Sequence, residues 1–95
     1  MASTPEGKVK NRVKDILKGL GAYQFSPQSG VYGRSGVPDI VGCYKGRFFG
    51  IECKANGGKA TALQLKELQN ITDAGGIAML VNEDNVPEVS ECLQK

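Results

Sequence analysis

The stretch from residue 39 to residue 54, DIVGCYKGRFFGIECK, limits the possible folds of this chain more than any other part. Two runs typical of β-strands flank Lys45-Gly46, and a two-residue loop of this kind closes a tight β-hairpin. The register set by that loop places Asp39 directly opposite Glu52, with Cβ atoms about 4.5–5.5 Å apart. A different loop length would make Asp39 a diagonal neighbour of Glu52 instead.

Two facing carboxylates repel each other and weaken a hairpin unless something offsets the repulsion. A divalent cation would do so, and oxygen ligands suit Mg²⁺ or Mn²⁺. Lys54 lies on the strand face of Glu52, because side chains alternate with period two, whereas Cys53 points to the other face and offers its backbone carbonyl. We expect Gly50 to leave open space for a substrate. Taken singly, a Pro-Asp turn and a solvated Glu-x-Lys edge are the ordinary explanations of these residues.

The composition excludes several kinds of chemistry. The chain has 95 residues, enough for one domain, and no histidine, which removes imidazole bases and histidine-ligated metals. Its three cysteines are odd in number and lack CxxC spacing, so neither a disulfide scaffold nor a zinc site is indicated. No apolar run approaches the roughly 20 residues of a membrane span, and no secretory signal is visible. We therefore expect a cytoplasmic protein.

Charge is distributed unevenly along the chain. Residues 1–54 carry nine Lys/Arg against four Asp/Glu, whereas residues 55–95 carry three against six. A basic first half is compatible with a phosphate-bearing partner, although, taken alone, a solvated lysine-rich helix face is the more ordinary explanation.

The N-terminal residues predict a helix. Ser3 can act as its N-cap, Pro5 suits the first turn, and Gly21 is a typical residue beyond the last turn. Glu6 falls at the third helical position in that register, where it could complete a capping box. Apolar residues recur between these ends at helical spacing, namely Val9, Val13, Ile16, Leu17 and Leu20.

The rest of the chain predicts a mixed α/β sheet. Short strands are indicated at residues 23–25 and 31–32, and a capping box from Thr61 to Gln64 opens a second helix. The apolar run at residues 77–81 is typical of a buried parallel strand, and residues 84–93 predict a last helix. The expected order is α-β-β-β-α-β-α around about four strands. The second helix carries Leu65, Leu68 and Ile71, and the last helix is expected to turn Val86, Val89 and Leu93 inward.

GVPD at residues 36–39, followed by Glu52-Cys53-Lys54, resembles the motif of the PD-(D/E)xK nuclease superfamily. The GVPD sequence, the motif spacing and the GGK loop at residues 57–59 are similar to its VRR-Nuc family. The resemblance extends over roughly residues 6–82 and implies a restriction-endonuclease-like core within a single domain of residues 1–95. The short length resembles stand-alone VRR-Nuc proteins of phages, which would place the chain in the cytoplasm of a bacterial host.

The resemblance implies a role for each matching residue. Asp39 and Glu52 would bind the metal with the Cys53 carbonyl, and Lys54 would orient or activate the attacking water and stabilise the phosphate. Glu6 would contact the metal through water, and Gln64 matches a polar residue on the helix after the Glu-x-Lys motif. Capping-box roles are the alternative for these last two. Residues expected to contact DNA are Lys8, Arg34, Ser35 and Lys59.

The implied activity is that of a Mg²⁺- or Mn²⁺-dependent endonuclease that hydrolyses phosphodiester bonds in DNA. Similarity to dimeric junction resolvases of the same superfamily implies a homodimer acting on branched DNA, such as four-way (Holliday) junctions. Two alternatives stay open at this point: a flap-specific or duplex-nicking nuclease, and a DNA-binding module without catalysis. The number of metal ions is also left open.

Overall fold

The computed structural model describes residues 4–27 and 35–95. The predicted strand at residues 31–32 and the predicted DNA contact Arg34 lie outside these residues. Elements follow one another in the predicted order: α1 (Pro5–Leu20), β1 (Tyr23–Phe25), β2 (Ile40–Tyr44), β3 (Arg47–Cys53), α2 (Ala62–Asp73), β4 (Ile77–Val81) and α3 (Glu88–Gln94). In the described part of the chain no helix combines the length and apolar character needed to cross a membrane.

The four strands form one mixed sheet in the order β1-β2-β3-β4. The first three strands are antiparallel, and β4 runs parallel to β3. Lys45 and Gly46 form the hairpin turn with φ angles of 50° and 85°. Both residues therefore adopt the left-handed conformation that a two-residue hairpin loop requires. Tyr44 consequently faces Arg47, which is the predicted register.

The hydrophobic core lies between one face of the sheet and helices α1 and α3. On β3, Phe49, Ile51 and Cys53 point into it and are fully buried. The helices contribute apolar side chains at the predicted helical spacing, namely Val9, Val13 and Leu17 from α1, with Val89 and Leu93 from α3. The other face of β3 carries Glu52 and packs against α2, so the two faces of this strand separate the core from the site.

Helix α1 begins one residue later than the sequence predicts. The N-cap is Thr4, whose side chain accepts a hydrogen bond of 2.9 Å from the backbone N–H of Gly7, so the assignment of Ser3 is wrong. Glu6 is then the second helical residue and cannot complete a capping box. Gly21 ends the helix in the left-handed conformation, as predicted.

Of the leucines of α2, Leu68 is buried against the sheet, whereas Leu65 is 51% exposed. One further expectation needs correction. Gly50 does not leave open space: a Cβ built there would lie 2.5 Å from Cδ1 of Ile71 and 3.0 Å from Cγ of Pro38. The missing side chain admits helix α2, not a substrate. The last helix begins at Glu88, after a turn that starts near residue 83.

Candidate active site

Asp39 and Glu52 meet at one end of the β2–β3 hairpin. Ile40, the first residue of β2, pairs with Ile51 of β3, so Asp39 occupies the next position of the ladder, opposite Glu52. Oδ2 of Asp39 accepts a hydrogen bond of 2.9 Å from the backbone N–H of Cys53. A carboxylate thus occupies the place where a strand carbonyl would continue the ladder, and this bond fixes Asp39 at the sheet.

Glu52 is buried, with only 1% of its surface exposed. Its Oε2 accepts a hydrogen bond of 3.0 Å from Nε2 of Gln64 and lies 3.4 Å from Nζ of Lys54. Its Oε1 is also buried and has no hydrogen-bond partner among residues 4–27 and 35–95. A buried acceptor without a partner lowers the stability of the fold, so a proton or a cation bound to this oxygen would be stabilising.

The surroundings of Glu52 favour its protonated form. Burial is the largest cause and the nearby charge of Asp39 the next, and together they raise the pKa of Glu52 from 4.5 to about 7. Lys54 acts in the opposite direction through its charge and its contact with the carboxylate. The metal-free Glu52 therefore keeps its proton to a higher pH than an ordinary glutamate, and a bound cation would hold the carboxyl group ionised.

Lys54 follows β3 directly, and its backbone N–H donates a hydrogen bond of 2.8 Å to the carbonyl of Val81, which extends the pairing with β4. Its side chain is only 15% exposed. The ammonium group is therefore held beside Glu52 at the margin of the site, as the alternation of strand side chains predicts.

Gln64 caps helix α2 and also contacts Glu52. It is the third residue of α2 and forms a capping box with Thr61, in which each residue's side chain accepts a hydrogen bond from the other's backbone N–H. Its amide nitrogen remains free to donate to Glu52. Capping and contact with the acidic site are thus properties of the same side chain.

The other predicted residues within the described part of the chain, apart from the buried Cys53, are exposed. Glu6 is exposed, and its charge is a minor cause, after burial, Asp39 and Glu52, in raising the pKa of the Cys53 thiol to about 12. Lys8, Ser35 and Lys59 are exposed. Across residues 4–27 and 35–95, no group of three or more His, Cys, Asp or Glu side chains could hold a metal ion. The convergent acidic side chains are therefore those of Asp39 and Glu52.

The donors at this site fit a hard divalent cation. They comprise the unpartnered Oε1 of Glu52 and the Asp39 carboxylate, and the predicted third donor, the Cys53 carbonyl, belongs to the residue whose N–H holds Asp39. Mg²⁺ prefers a few carboxylate or carbonyl oxygens and leaves its other coordination positions to water and phosphate. Mn²⁺ shares the preference for oxygen ligands. The Cys53 thiol is buried on the core side of the sheet and plays no part in this set.

Sequence reasoning missed two features of the site. It used only the carbonyl of Cys53, whereas the N–H of the same residue holds Asp39. It also treated Thr61 as a cap alone, whereas Thr61 orients the amide that contacts Glu52. The proximity of the capping box to the Glu-x-Lys motif in the chain was a signal for the second feature, and no local pattern indicated the first.

The fold is thus a mixed four-stranded sheet packed between helices, and its central hairpin carries Asp39 and the Glu-x-Lys strand end. A solved structure described as "VRR_NUC domain" has this fold, with a TM-score of 0.74 and 23% sequence identity. The match covers 94% of this chain and 97% of that chain, so the predicted fold is confirmed over nearly its whole length. No protein-family model and no curated protein matches the chain.

Proposed function

We propose that this chain is a metal-dependent endonuclease of the VRR-Nuc family that hydrolyses phosphodiester bonds in DNA. The observation that carries the proposal is the state of Glu52. A carboxylate with 1% exposure faces Asp39, contacts Lys54 and keeps one oxygen without a partner among the described residues. An arrangement so unfavourable for stability is typical of a site in which a cation and a substrate supply the missing interactions.

Each residue has a distinct task in this proposal. Asp39, Glu52 and the Cys53 carbonyl hold the cation, and Gln64 fixes Glu52. A cation held by these residues would supply Lewis acidity toward the phosphate and would lower the pKa of a water molecule. Lys54 places its positive charge where negative charge grows on the phosphate in the transition state. Asp39 stays in place during these changes because the Cys53 N–H holds its other oxygen.

The decisive experiment is a nicking assay on labelled DNA with Mg²⁺, Mn²⁺, Ca²⁺ or EDTA. We expect cleavage with Mg²⁺ and Mn²⁺, binding without cleavage with Ca²⁺, and no cleavage with EDTA. Glu52→Gln removes the ionised ligand and should abolish cleavage, while Asp15→Asn, at an exposed carboxylate of α1, should not change it. Undiminished cleavage by the Glu52 variant, or in EDTA, contradicts the proposal.

We further propose that the active form is a homodimer that acts on branched DNA. The chain measures 31 × 27 × 23 Å, so one copy contacts only a small part of a four-way junction. Tyr23, Phe25 and Phe48 are 70%, 49% and 47% exposed, and the strand register places them on the sheet face that carries Glu52. An exposed aromatic cluster of this kind suits an interface with a second copy.

The dimer and the substrate are tested separately. Sedimentation equilibrium should give twice the monomer mass for the parent, and Phe48→Ser should lower that mass without lowering the content of secondary structure. A monomeric parent contradicts the dimer. Four-way junction, flap and linear duplex substrates of equal length then compete in one cleavage assay. Preference for the flap or the linear duplex selects the alternative nuclease, and binding without any cleavage selects the binding module.

A further inference from the structure

The first turn of α2 reaches Glu52 through the amide of Gln64. Oε1 of this amide accepts a hydrogen bond of 2.9 Å from the backbone N–H of Thr61, and Nε2 donates one of 3.0 Å to Oε2 of Glu52. The oxygen and nitrogen are attached to the same carbon, so using the oxygen at Thr61 directs the nitrogen toward Glu52. The cap of the helix therefore sets the orientation of a donor in the acidic site.

This orientation decides which oxygen of Glu52 stays free. Gln64 and Lys54 both contact Oε2, at 3.0 Å and 3.4 Å. Oε1 is left without a partner in the described part of the chain. If Gln64 withdrew, Oε2 would lose the only uncharged donor that the described residues give it, and the carboxylate could rotate and turn either oxygen toward Lys54. The helix cap thus keeps one particular oxygen available.

The position of that helix turn depends on a glycine outside α2. Gly36 has a φ of +80°, and a Cβ built on it would lie 2.7 Å from the carbonyl carbon and 2.8 Å from the carbonyl oxygen of Leu63. The same Cβ would lie 3.0 Å from the backbone nitrogen of Gln64. All three contacts are to backbone atoms, which cannot rotate aside. The loop that leads to Asp39 therefore packs directly on the first turn of α2.

We propose that Gly36 and Thr61 are positioning residues of the candidate site, which together hold the Gln64 amide against Glu52 so that Oε1 of Glu52 stays free for a cation. The proposal rests on the proposed function, because it gives that free oxygen its purpose. In this proposal the loop that carries Asp39 also orients Glu52, because it packs on the first turn of α2, which holds Gln64.

The test uses Gly36→Ala, with Gly21→Ala as its control. Gly21 has a φ of +78°, nearly that of Gly36, but within the described residues nothing lies within 4 Å of a Cβ built on it. Both variants carry the backbone strain of alanine at positive φ, and only Gly36→Ala displaces the α2 turn. We expect Gly36→Ala to weaken Mn²⁺ binding roughly 10- to 100-fold, the usual effect of losing a partner that orients a metal ligand. Gly21→Ala should bind Mn²⁺ like the parent.

A second pair of variants covers the case in which Gly36→Ala does not fold. Thr61→Val keeps the shape of the side chain but loses the hydroxyl that accepts from the Gln64 N–H, whereas Thr61→Ser keeps it. Thr61→Val should weaken Mn²⁺ binding in the same direction by a smaller factor. Thr61→Ser should restore parental binding, which a purely steric role for Thr61 would not predict.

The direct readout is the side-chain amide resonance of Gln64 in the metal-free protein, assigned by its loss in Gln64→Met. It should shift in Gly36→Ala and Thr61→Val and stay in place in Gly21→Ala and Thr61→Ser. A folded Gly36→Ala with parental Mn²⁺ affinity and an unshifted resonance overturns the proposal. A parent that binds no Mn²⁺ overturns the proposed nuclease instead, and the resonance still decides whether Gly36 and Thr61 position Gln64.

Discussion

The backbone N–H of Cys53 donates a hydrogen bond of 2.9 Å to the carboxylate of Asp39. This bond lies just beyond the last backbone pair of the β2–β3 hairpin. The same carboxylate faces Glu52 and raises its pKa. Asp39 therefore stabilises the strand end through one oxygen and destabilises it through its charge. The balance between these two effects depends on the ionisation of Glu52, which makes it measurable.

Asp39→Asn should change stability differently at two pH values. The amide oxygen of asparagine can still accept from the Cys53 N–H, so the main change is the loss of repulsion with Glu52. At pH 8, where Glu52 is largely ionised, the free energy of unfolding of the metal-free protein should rise by about 0.5–1 kcal/mol, the scale of cross-strand pairs. At pH 5 it should change little. Denaturant titrations measure both values, with Asp15→Asn as the control; a fall at pH 8 means that the charge-assisted bond to Cys53 outweighs the repulsion.

The ionisation of Glu52 should dominate the pH dependence of the metal-free protein. Its pKa rises from 4.5 in the unfolded chain to about 7 in the folded one, so the folded state retains a proton that the unfolded state has lost. Stability should therefore fall as the pH rises from 4.5 through 7, by up to roughly 3 kcal/mol for a shift of this size. Glu52→Gln should remove this fall, and Mg²⁺ should reduce it in the parent. If stability falls with pH as steeply in Glu52→Gln as in the parent, the titrating group is not Glu52.

Lys54→Ala should separate binding from catalysis. Its ammonium group adjoins Glu52, so its loss mainly removes positive charge from the transition state and should slow single-turnover cleavage roughly 10²–10³-fold. Affinity for branched DNA should fall by about one phosphate contact, with the slope of log affinity against log salt flatter by about 0.9. Lys66→Ala, on the exposed side of α2, is the matched control. If Lys54→Ala cleaves bound DNA at the parental rate, the assignment of Glu52-Cys53-Lys54 as a nuclease motif is wrong.

Gly50→Ala should destabilise the protein through its contact with α2. A Cβ at residue 50 would lie 2.5 Å from Cδ1 of Ile71, and adding a methyl group to a packed interface typically costs about 1–3 kcal/mol. Ile71→Val deletes the atom that the new methyl group meets, so the double variant should recover most of the loss. A double-mutant cycle measures this coupling. Additive effects of the two substitutions would show that Ile71 is not the obstacle.

The central hairpin could be predicted from the sequence because its short loop allows few strand registers. A two-residue loop and the period of two along a strand fix the register once Lys45-Gly46 is taken as the turn. The meeting of Asp39 with Glu52 follows from that register and needs no distant contact. The order of elements is equally accessible, since each helix and strand shows its own periodicity in the chain.

What escaped prediction depends on contacts between distant segments. Gly50 in the sequence indicates that space is needed beside that residue, but the sequence does not show that the side chain of Ile71 fills this space. Ser3 and Thr4 are both good caps, and the choice between them depends on how the helix meets the sheet. Leu65 fits an apolar stripe, yet a single helix packed across one strand face buries only part of that stripe.

The tight turn at Lys45-Gly46 makes the candidate site unusually sensitive to chain length. The hairpin register depends on that turn, so inserting one residue between Asp39 and the turn would move the carboxylate to the opposite face of the sheet while leaving every residue of the site in the gene. Loops elsewhere on the surface can lengthen without such an effect. The number of residues between Asp39 and Glu52 therefore matters to the candidate site as much as the identity of either carboxylate.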